Sequence, residues 1–374
     1  MKALFISNDP SIFDASSEAR VRMRDYAAAI GELHIVSPAA KDAQEIAEQN
    51  LFLHPVRASR LFRIGALAKR ARGVIAERGI EVVSAQDPFE QGLAALRAVQ
   101  NTPAKLHVQV HTDFLSPWFV KSGNPRSPRV RMPLINRLRR RWADKVLPQA
   151  SGIRVVSARV KSSLAKRYGA AIREPAVIPI RISAELPPKS PLNLFSFTLL
   201  AVGRLEPEKR VEDILAALAN VVPKYPIVGL AIAGEGRERA RLERMVKKLG
   251  LGQHVAFLGA RADARGLMQS AQGFIQASAY EGYGRTLIEA ALAKVPIITT
   301  DVGIVGEVLK GYDDVLSAPV ADPTALMYHI VGLVEDVATR LALALHAEAT
   351  ARSYLAGARN APEDIAADLA KALL

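Results

Sequence analysis

The stretch Phe197-Thr198-Leu199-Leu200-Ala201-Val202-Gly203-Arg204-Leu205-Glu206-Pro207-Glu208-Lys209-Arg210 decides the fold of this chain. Its first six residues form a short, β-rich apolar run bounded by a glycine, which predicts a buried strand, and a helical pattern begins at Val211. The same unit recurs downstream. A strand at Val228–Ala233 precedes a helix over Arg237–Leu249, and a further strand follows at His254–Leu258. Phe274-Ile275 and Pro296-Ile297-Ile298 are strand cores flanking a helix from about Arg285. Upstream, apolar runs at Ala3–Ile6, Leu33–Val36, Val82-Val83, Leu106–Val110, Ile153–Val156 and Ala176–Ile178 alternate with helices near 18–30, 61–77, 89–99 and 160–168. Strands separated by helices imply right-handed crossovers and buried parallel sheets.

Pro187-Pro188-Lys189-Ser190-Pro191 can continue neither a helix nor a central strand, so the domain boundary is placed there. The expected architecture is α/β, with two doubly wound, Rossmann-like domains facing each other across a cleft. The N-terminal domain spans 1–187, the linker 188–196 and the C-terminal domain 197–340, and helices over 341–374 pack across the domains. Ligands are expected at the carboxyl ends of the strands.

A length of 374 residues suits two such domains. The chain has no cysteine, which excludes disulfides, thiolate zinc sites, iron–sulfur clusters and cysteine nucleophiles, and fits a reducing compartment. The apolar run Ala3–Ile6 is too short for a secretory core, and no window of eighteen apolar residues occurs, so the expectation is a cytoplasmic protein with no membrane span. The net charge of +13 is localised: residues 101–190 hold 18 basic and 4 acidic side chains, whereas the flanking stretches nearly cancel. A patch of that kind suits a phosphate-bearing partner.

Four strand-end stretches of the second half share one chemistry. Gly203 lets backbone approach closely, while Arg204 and Lys209 offer a planar fork and a mobile point charge beside a helix amino terminus. Ala233-Gly234-Glu235-Gly236 is a glycine turn, and Val255-Ala256-Phe257-Leu258-Gly259 leads into Ala260-Arg261. In Tyr280-Glu281-Gly282-Tyr283-Gly284-Arg285-Thr286-Leu287-Ile288-Glu289 the glycines free the backbone, so the amides of Gly284, Arg285 and Thr286 can face an anion at a helix start. Glu281 and Glu289 are expected on the order of 10–12 Å apart. That is wider than the roughly 5–10 Å of a glycosidase pair. It suits two hydroxylated rings on either side of a diphosphate.

In this order the motifs resemble the retaining GT-B glycosyltransferases of family 4, most strongly over residues 198–309. The resemblance implies a sugar-nucleotide site in the C-terminal domain. Arg204 and Lys209 would hold the diphosphate, Glu281 would face the donor sugar and Glu289 the ribose hydroxyls. Gly203, Gly234, Arg261, Gly282, Tyr283, Gly284, Arg285 and Thr286 would complete the donor-binding set. No metal and no cofactor are expected, because the cations and helix amides take the metal's place. His111, at the end of the strand Lys105–Val110, would lie by the transferred sugar. It joins Glu281, Arg204 and Lys209 as the catalytic group. Ser84–Phe89 resembles the family's earlier cleft loop, and Ile153–Ser157 with Lys161 the later one. Many members carry a glycine pair in the first loop, where this chain has Asn8-Asp9-Pro10 through Ala15–Glu18. Ser16, Ser17 and Arg20 would fill part of that role.

The implied partners are a UDP- or GDP-sugar donor and a sugar or lipid-linked acceptor, in cell-envelope glycan or glycolipid synthesis. Within the basic segment 121–145, Ile135, Leu138 and Trp142 form an apolar stripe surrounded by Arg137, Arg139, Arg140, Arg141 and Lys145. This describes either an amphipathic helix lying on anionic lipid at the inner face of the cytoplasmic membrane, or a core-packed helix with a solvated basic face. Nucleic acid is not expected, since no helix-turn-helix, RNP-like aromatic pair or zinc knuckle accompanies the charge. Two rivals remain: a GT-B-type sugar-nucleotide epimerase, and a non-catalytic sugar-nucleotide or membrane-surface binding protein.

Overall fold

The computed structural model describes residues 1–40, 43–120, 134–359 and 361–374. Contacts divide these described residues into two units: those within Met1–Leu115, Leu134–Arg181 and Arg359–Leu374, and those within 116–120 and Ile182–Ala358.

The first unit opens with β1 (Lys2–Ile6), α1 (Glu18–Ile30), β2 (Glu32–Pro38), β3 (Ile46–Glu48), β4 (Leu51–Val56) and α2 (Arg63–Arg78). It continues through β5 (Val82–Ala85), α3 (Glu90–Val99), β6 (Lys105–Val110), α4 (Ile135–Val146), β7 (Gly152–Val155), α5 (Ala158–Tyr168) and β8 (Ala176–Val177). The strand order is β3-β4-β2-β1-β5-β6-β7-β8, and every pairing is parallel except β3 with β4. Ala3, Leu4, Phe5 and Ile6 of β1 are fully buried, because a central parallel strand is covered on both faces. The hairpin β3–β4 is absent from the sequence expectation. Pro55 sits within β4, and proline argues against an inner strand. It is accommodated opposite Ser37 of β2.

The second unit runs β9 (Phe197–Val202), α6 (Val211–Val221), β10 (Val228–Ala233), α7 (Arg239–Lys248), β11 (Val255–Gly259), α8 (Ala264–Met268) and β12 (Gly273–Gln276). It ends with α9 (Arg285–Leu292), β13 (Ile297–Thr300), β14 (Val315–Ala318), α10 (Pro323–Glu335) and α11 (Val337–Gly357). Its parallel sheet has the order β11-β10-β9-β12-β13-β14, so β9 lies between β10 and β12. Both units therefore have the expected doubly wound α/β form.

The contact division follows the chain differently from the linear boundaries. Residues 182–196 are docked on the second unit: the Gln269 side-chain amide donates to the Pro187 carbonyl (2.8 Å), and the Ser190 amide to the Gly266 carbonyl (3.1 Å). The terminal helices separate. α11 packs on α9, whereas α12 (Pro362–Lys371) packs on α1 and β7 of the first unit. Gly152 makes that docking close, since a Cβ there would lie 2.9 Å from the Ala372 methyl. A buried chain of hydrogen bonds, Ser84 Oγ to His107 Nδ1 (2.9 Å) and His107 Nε2 to Asp368 Oδ2 (3.0 Å), ties α12 to the sheet.

The helix α4 differs in the face it buries. Asn136, Ala143 and Val146 point inward, while Ile135 and Leu138 of the expected stripe are each 39% exposed. Val146 packs over Gly92 of α3, where a Cβ would come within 3.0 Å of its methyl. Arg139 does not belong to a free basic face: it forks onto Glu90 (2.8–3.1 Å) above the Phe89 ring. Residues 121–133 of the basic segment lie outside the described residues.

Asp368→Ala leaves His107 with a buried, unpaired ring nitrogen, so it is expected to destabilise the protein by about 1–3 kcal/mol in chemical denaturation. An unchanged midpoint would show that α12 is not held by this bond.

Candidate active site

The loop after β9 is built by exclusion of side chains. Gly203 has a φ of +148°, and a Cβ on Gly234 would stand 1.9 Å from the Gly203 carbonyl oxygen. A Cβ on Gly236 would stand 2.3 Å from the Leu205 carbonyl oxygen. Glycine at both positions lets the β9 and β10 loops touch backbone to backbone, with the Leu205 amide donating to the Glu235 carbonyl (2.8 Å). On the other side, the Ala279 amide donates to the Glu208 carbonyl (2.7 Å) and fixes this loop to the one after β12.

These ties bring Lys209 onto Glu281 in a half-buried ion pair. The Ser278 hydroxyl also donates to Glu281 Oε1 (2.8 Å), so this carboxylate is held from two sides. Arg204 is more exposed: its side chain is 76% accessible, with a long 3.5 Å contact to Glu208. Gly284, at φ +91°, caps the start of α9 in the left-handed region. The helix therefore begins at Arg285, and its first amides lie in the segment that also carries Glu281.

The remaining expected donor residues are distributed as follows. Glu289 is buried and accepts from Arg285 Nε (2.7 Å), a partner separate from that of Glu281. Thr286 donates its hydroxyl to Gln276 Oε1 (2.7 Å). Tyr283 contributes backbone only: its ring is buried, with its hydroxyl 3.5 Å from that of Tyr354, and its carbonyl accepts from the Ile304 amide. Gly282 is buried in the same loop. Arg261, just after β11, is paired with Asp263 (2.7 Å) on the surface. Gln276 was not foreseen. It ends β12 beside Gly203 and Lys209, and its side-chain nitrogen is buried with no partner among the described residues. Among the described residues no group of three or more His, Asp or Glu side chains is placed to hold a metal ion.

In the first unit, His111 follows β6, and its Nε2 meets Gln109 Oε1 (3.1 Å). That same oxygen accepts from the buried Arg154 (2.8 Å), so the amide is oriented and His111 Nε2 carries the proton, leaving Nδ1 as an acceptor. Burial, then the positive charges of Arg154 and Arg22, push the His111 imidazole down to about 3. The ring is therefore neutral at physiological pH. Asp87, at the end of the adjacent β5, is pushed up to about 7 by burial and by the neighbouring Glu90. No role for this carboxyl was legible in the sequence.

The first-loop residues have local roles. Ser17 caps α1 through the Arg20 amide (3.1 Å), and Ser16 bonds Asp14 (2.7 Å). Arg20 is buried on Glu48 (2.7 Å) and the Ile12 carbonyl (2.9 Å), so its guanidinium does not stand in for the first loop's glycine pair as expected. Lys161 pairs with Glu174 (2.7 Å).

Two doubly wound units, one with glycine-walled loops at its strand ends, define the GT-B class of fold. The family model "Glycosyl transferases group 1" matches residues 183–352 and "Glycosyltransferase Family 4" residues 23–185. The chain belongs to glycosyltransferase family 4. Among curated relatives it is similar to a glycogen synthase of Mycobacterium tuberculosis, with 34% identity over 178 residues, covering 43% of each chain. It is also similar to the N-acetyl-alpha-D-glucosaminyl L-malate synthase of Bacillus anthracis, with 29% identity over 37% of this chain and 36% of the relative. The matches thus span less than half the length of these relatives. Solved structures share the fold over nearly the whole chain. The sucrose-phosphate synthase of Thermosynechococcus elongatus has a TM-score of 0.77 at 18% identity, covering 94% of both chains. Anabaena HepE in complex with UDP and glucose has a TM-score of 0.73 at 21% identity, covering 99% of this chain and 98% of that one.

Ionisation of Asp87 gives a stability term with a definite sign. Its folded value of about 7 lies above its ordinary 3.8, so the folded state keeps the proton longer than the unfolded chain does. This contribution is favourable below about pH 4, fades as pH rises, and is lost above about 7. Asp87→Asn, which cannot ionise, is expected to gain stability relative to wild type as pH climbs through that window. Parallel pH-dependences in urea titrations would place the carboxyl in water.

Proposed function

We propose that this protein is a retaining glycosyltransferase that moves a sugar from a nucleoside diphosphate to an acceptor hydroxyl without a metal ion. The observation that carries the reading is the Lys209–Glu281 pair beside the amino terminus of α9. Without ligand, Lys209 rests on Glu281. A bound diphosphate offers it a denser anion, and the Arg285 and Thr286 amides with Arg204 meet the remaining oxygens. Donors preset where charge develops on the departing diphosphate lower the barrier for leaving. Released from Lys209, Glu281 accepts hydroxyls of the donor sugar, while Glu289 accepts from the ribose. As the bond from the anomeric carbon to the phosphate oxygen breaks, the acceptor oxygen bonds that carbon from the same face. Its proton passes to the departing phosphate oxygen. Neutral His111 contributes a hydrogen bond rather than a charge. HepE was solved with UDP, which supports a uridine nucleotide as the donor over the GDP alternative.

The acceptor we propose is lipid-linked, as in cell-envelope glycan assembly. Leu134, Ile135 and Leu138 are exposed on α4 beside Arg137, Arg141 and Lys145, a mixture of apolar and cationic groups that suits an anionic membrane surface.

Lys209→Ala is expected to weaken UDP binding by about 10- to 150-fold, the loss of one charge-assisted hydrogen bond. Glu281→Gln should leave UDP affinity nearly intact and slow transfer, whereas Glu289→Ala should weaken UDP itself. Calorimetry with UDP alone separates the roles, and the reverse pattern would mean they are misassigned. For the acceptor, co-sedimentation with vesicles containing anionic lipid should exceed that with neutral vesicles and fall with added salt. Neutralising Arg137, Arg140, Arg141 and Lys145, with Arg139 kept for Glu90, should abolish it. Equal recovery with both kinds of vesicle would rule out the electrostatic contact.

A further inference from the structure

The chain leaves the first unit after Leu115, five residues beyond the end of β6, and Ser116–Val120 belong to the second unit. There they form one tight turn. The Ser116 hydroxyl accepts from the Trp118 amide (3.3 Å), Pro117 opens the turn, and Trp118 and Phe119 project from it. The Arg210 guanidinium carbon stands 5.7 Å from the centre of the Trp118 ring. Phe119 is buried and meets Tyr280 edge to face, with ring centres 5.3 Å apart. Arg210 is the residue after Lys209, and Tyr280 the residue before Glu281.

Arg210 is unusual in two respects. Its backbone is left-handed, at φ +48°, a conformation that side-chain-bearing residues rarely adopt, and its guanidinium is fully buried and forked onto Asp213 (2.6 and 3.1 Å). Strained backbone of this kind persists where the surroundings over-determine it, and it collects at functional sites. Here Asp213 holds the guanidinium, and the Trp118 face, with its negative quadrupole, lies against it. Phe119 packs on the partner loop through Tyr280.

We propose that Trp118 and Phe119 are positioning residues of the donor site, an aromatic clamp that fixes the spacing of Lys209 and Glu281 by gripping the residue next to each. Neither touches the diphosphate. The clamp rests on the donor reading given above.

Two measurements with UDP as the probe test it. The chain has two tryptophans, Trp118 and Trp142. In Trp142→Phe, all tryptophan emission comes from Trp118, and saturating UDP should change its intensity or wavelength, because the negative diphosphate arrives at the residue adjoining Arg210. Trp118→Leu should raise the Kd for UDP about tenfold by calorimetry, and Trp118→Phe, which keeps an aromatic face, should return it to within about threefold of wild type. A merely structural role would lower the thermal midpoint of both variants and leave the Kd alone. If wild type binds UDP while Trp118 emission stays fixed and Trp118→Leu binds equally well, the clamp is overturned and the donor reading stands. If wild type binds none of UDP, GDP or ADP, the donor reading fails and the clamp falls with it. Should Trp118→Leu not fold, the emission of Trp142→Phe decides alone.

Discussion

The second unit depends on one close approach of backbone, the Gly203 carbonyl against Gly234, where no other residue fits. It holds the loop after β9 against the end of β10, and the bond from Ala279 to Glu208 holds the same loop against the end of β12. With both sides fixed, Lys209 has a defined reach and meets Glu281. A larger residue at 234 would push the loop outward and separate the pair before any ligand arrived. Precision of this kind matters because displacement of a binding group by about 1 Å can cost a hundredfold in rate.

The electrostatics of the two units are arranged differently. In the second, Lys209 and Glu281 form a half-buried ion pair. In the first, the strand ends hold groups whose charged forms are disfavoured: His111 is kept neutral and Asp87 is kept protonated up to about pH 7.

Where local chemistry determined the structure, the sequence was legible. The helix Glu18–Ile30 starts at its serine cap and stops at Gly31, both of which are readable signals. The glycine loops and the start of α9 at Gly284 were legible for the same reason. What failed was decided by packing across long separations. Apolar periodicity grouped Ile135, Leu138 and Trp142 into one stripe and left open whether it met lipid or a core; Val146 over Gly92 is what packs inward, and Glu90 claimed Arg139 from the basic face. Arg20 looked like a free loop cation until Glu48, 28 residues away, took it inward. Trp118 gave no periodic signal at all. Its contact with Arg210 spans more than ninety positions. Gln276 lay just beyond the strand core read at Phe274-Ile275, and its side-chain nitrogen, unpartnered among the described residues beside Lys209, appears only in three dimensions.

The central claim is that a nucleoside diphosphate displaces Glu281 from Lys209 at the start of α9. A crystal structure of the protein with UDP tests it most directly. The account requires phosphate oxygens within hydrogen-bond distance of Lys209 Nζ and of the Arg285 or Thr286 amide, with the ribose hydroxyls on Glu289. UDP bound elsewhere, or bound with the Lys209–Glu281 pair intact, would contradict it.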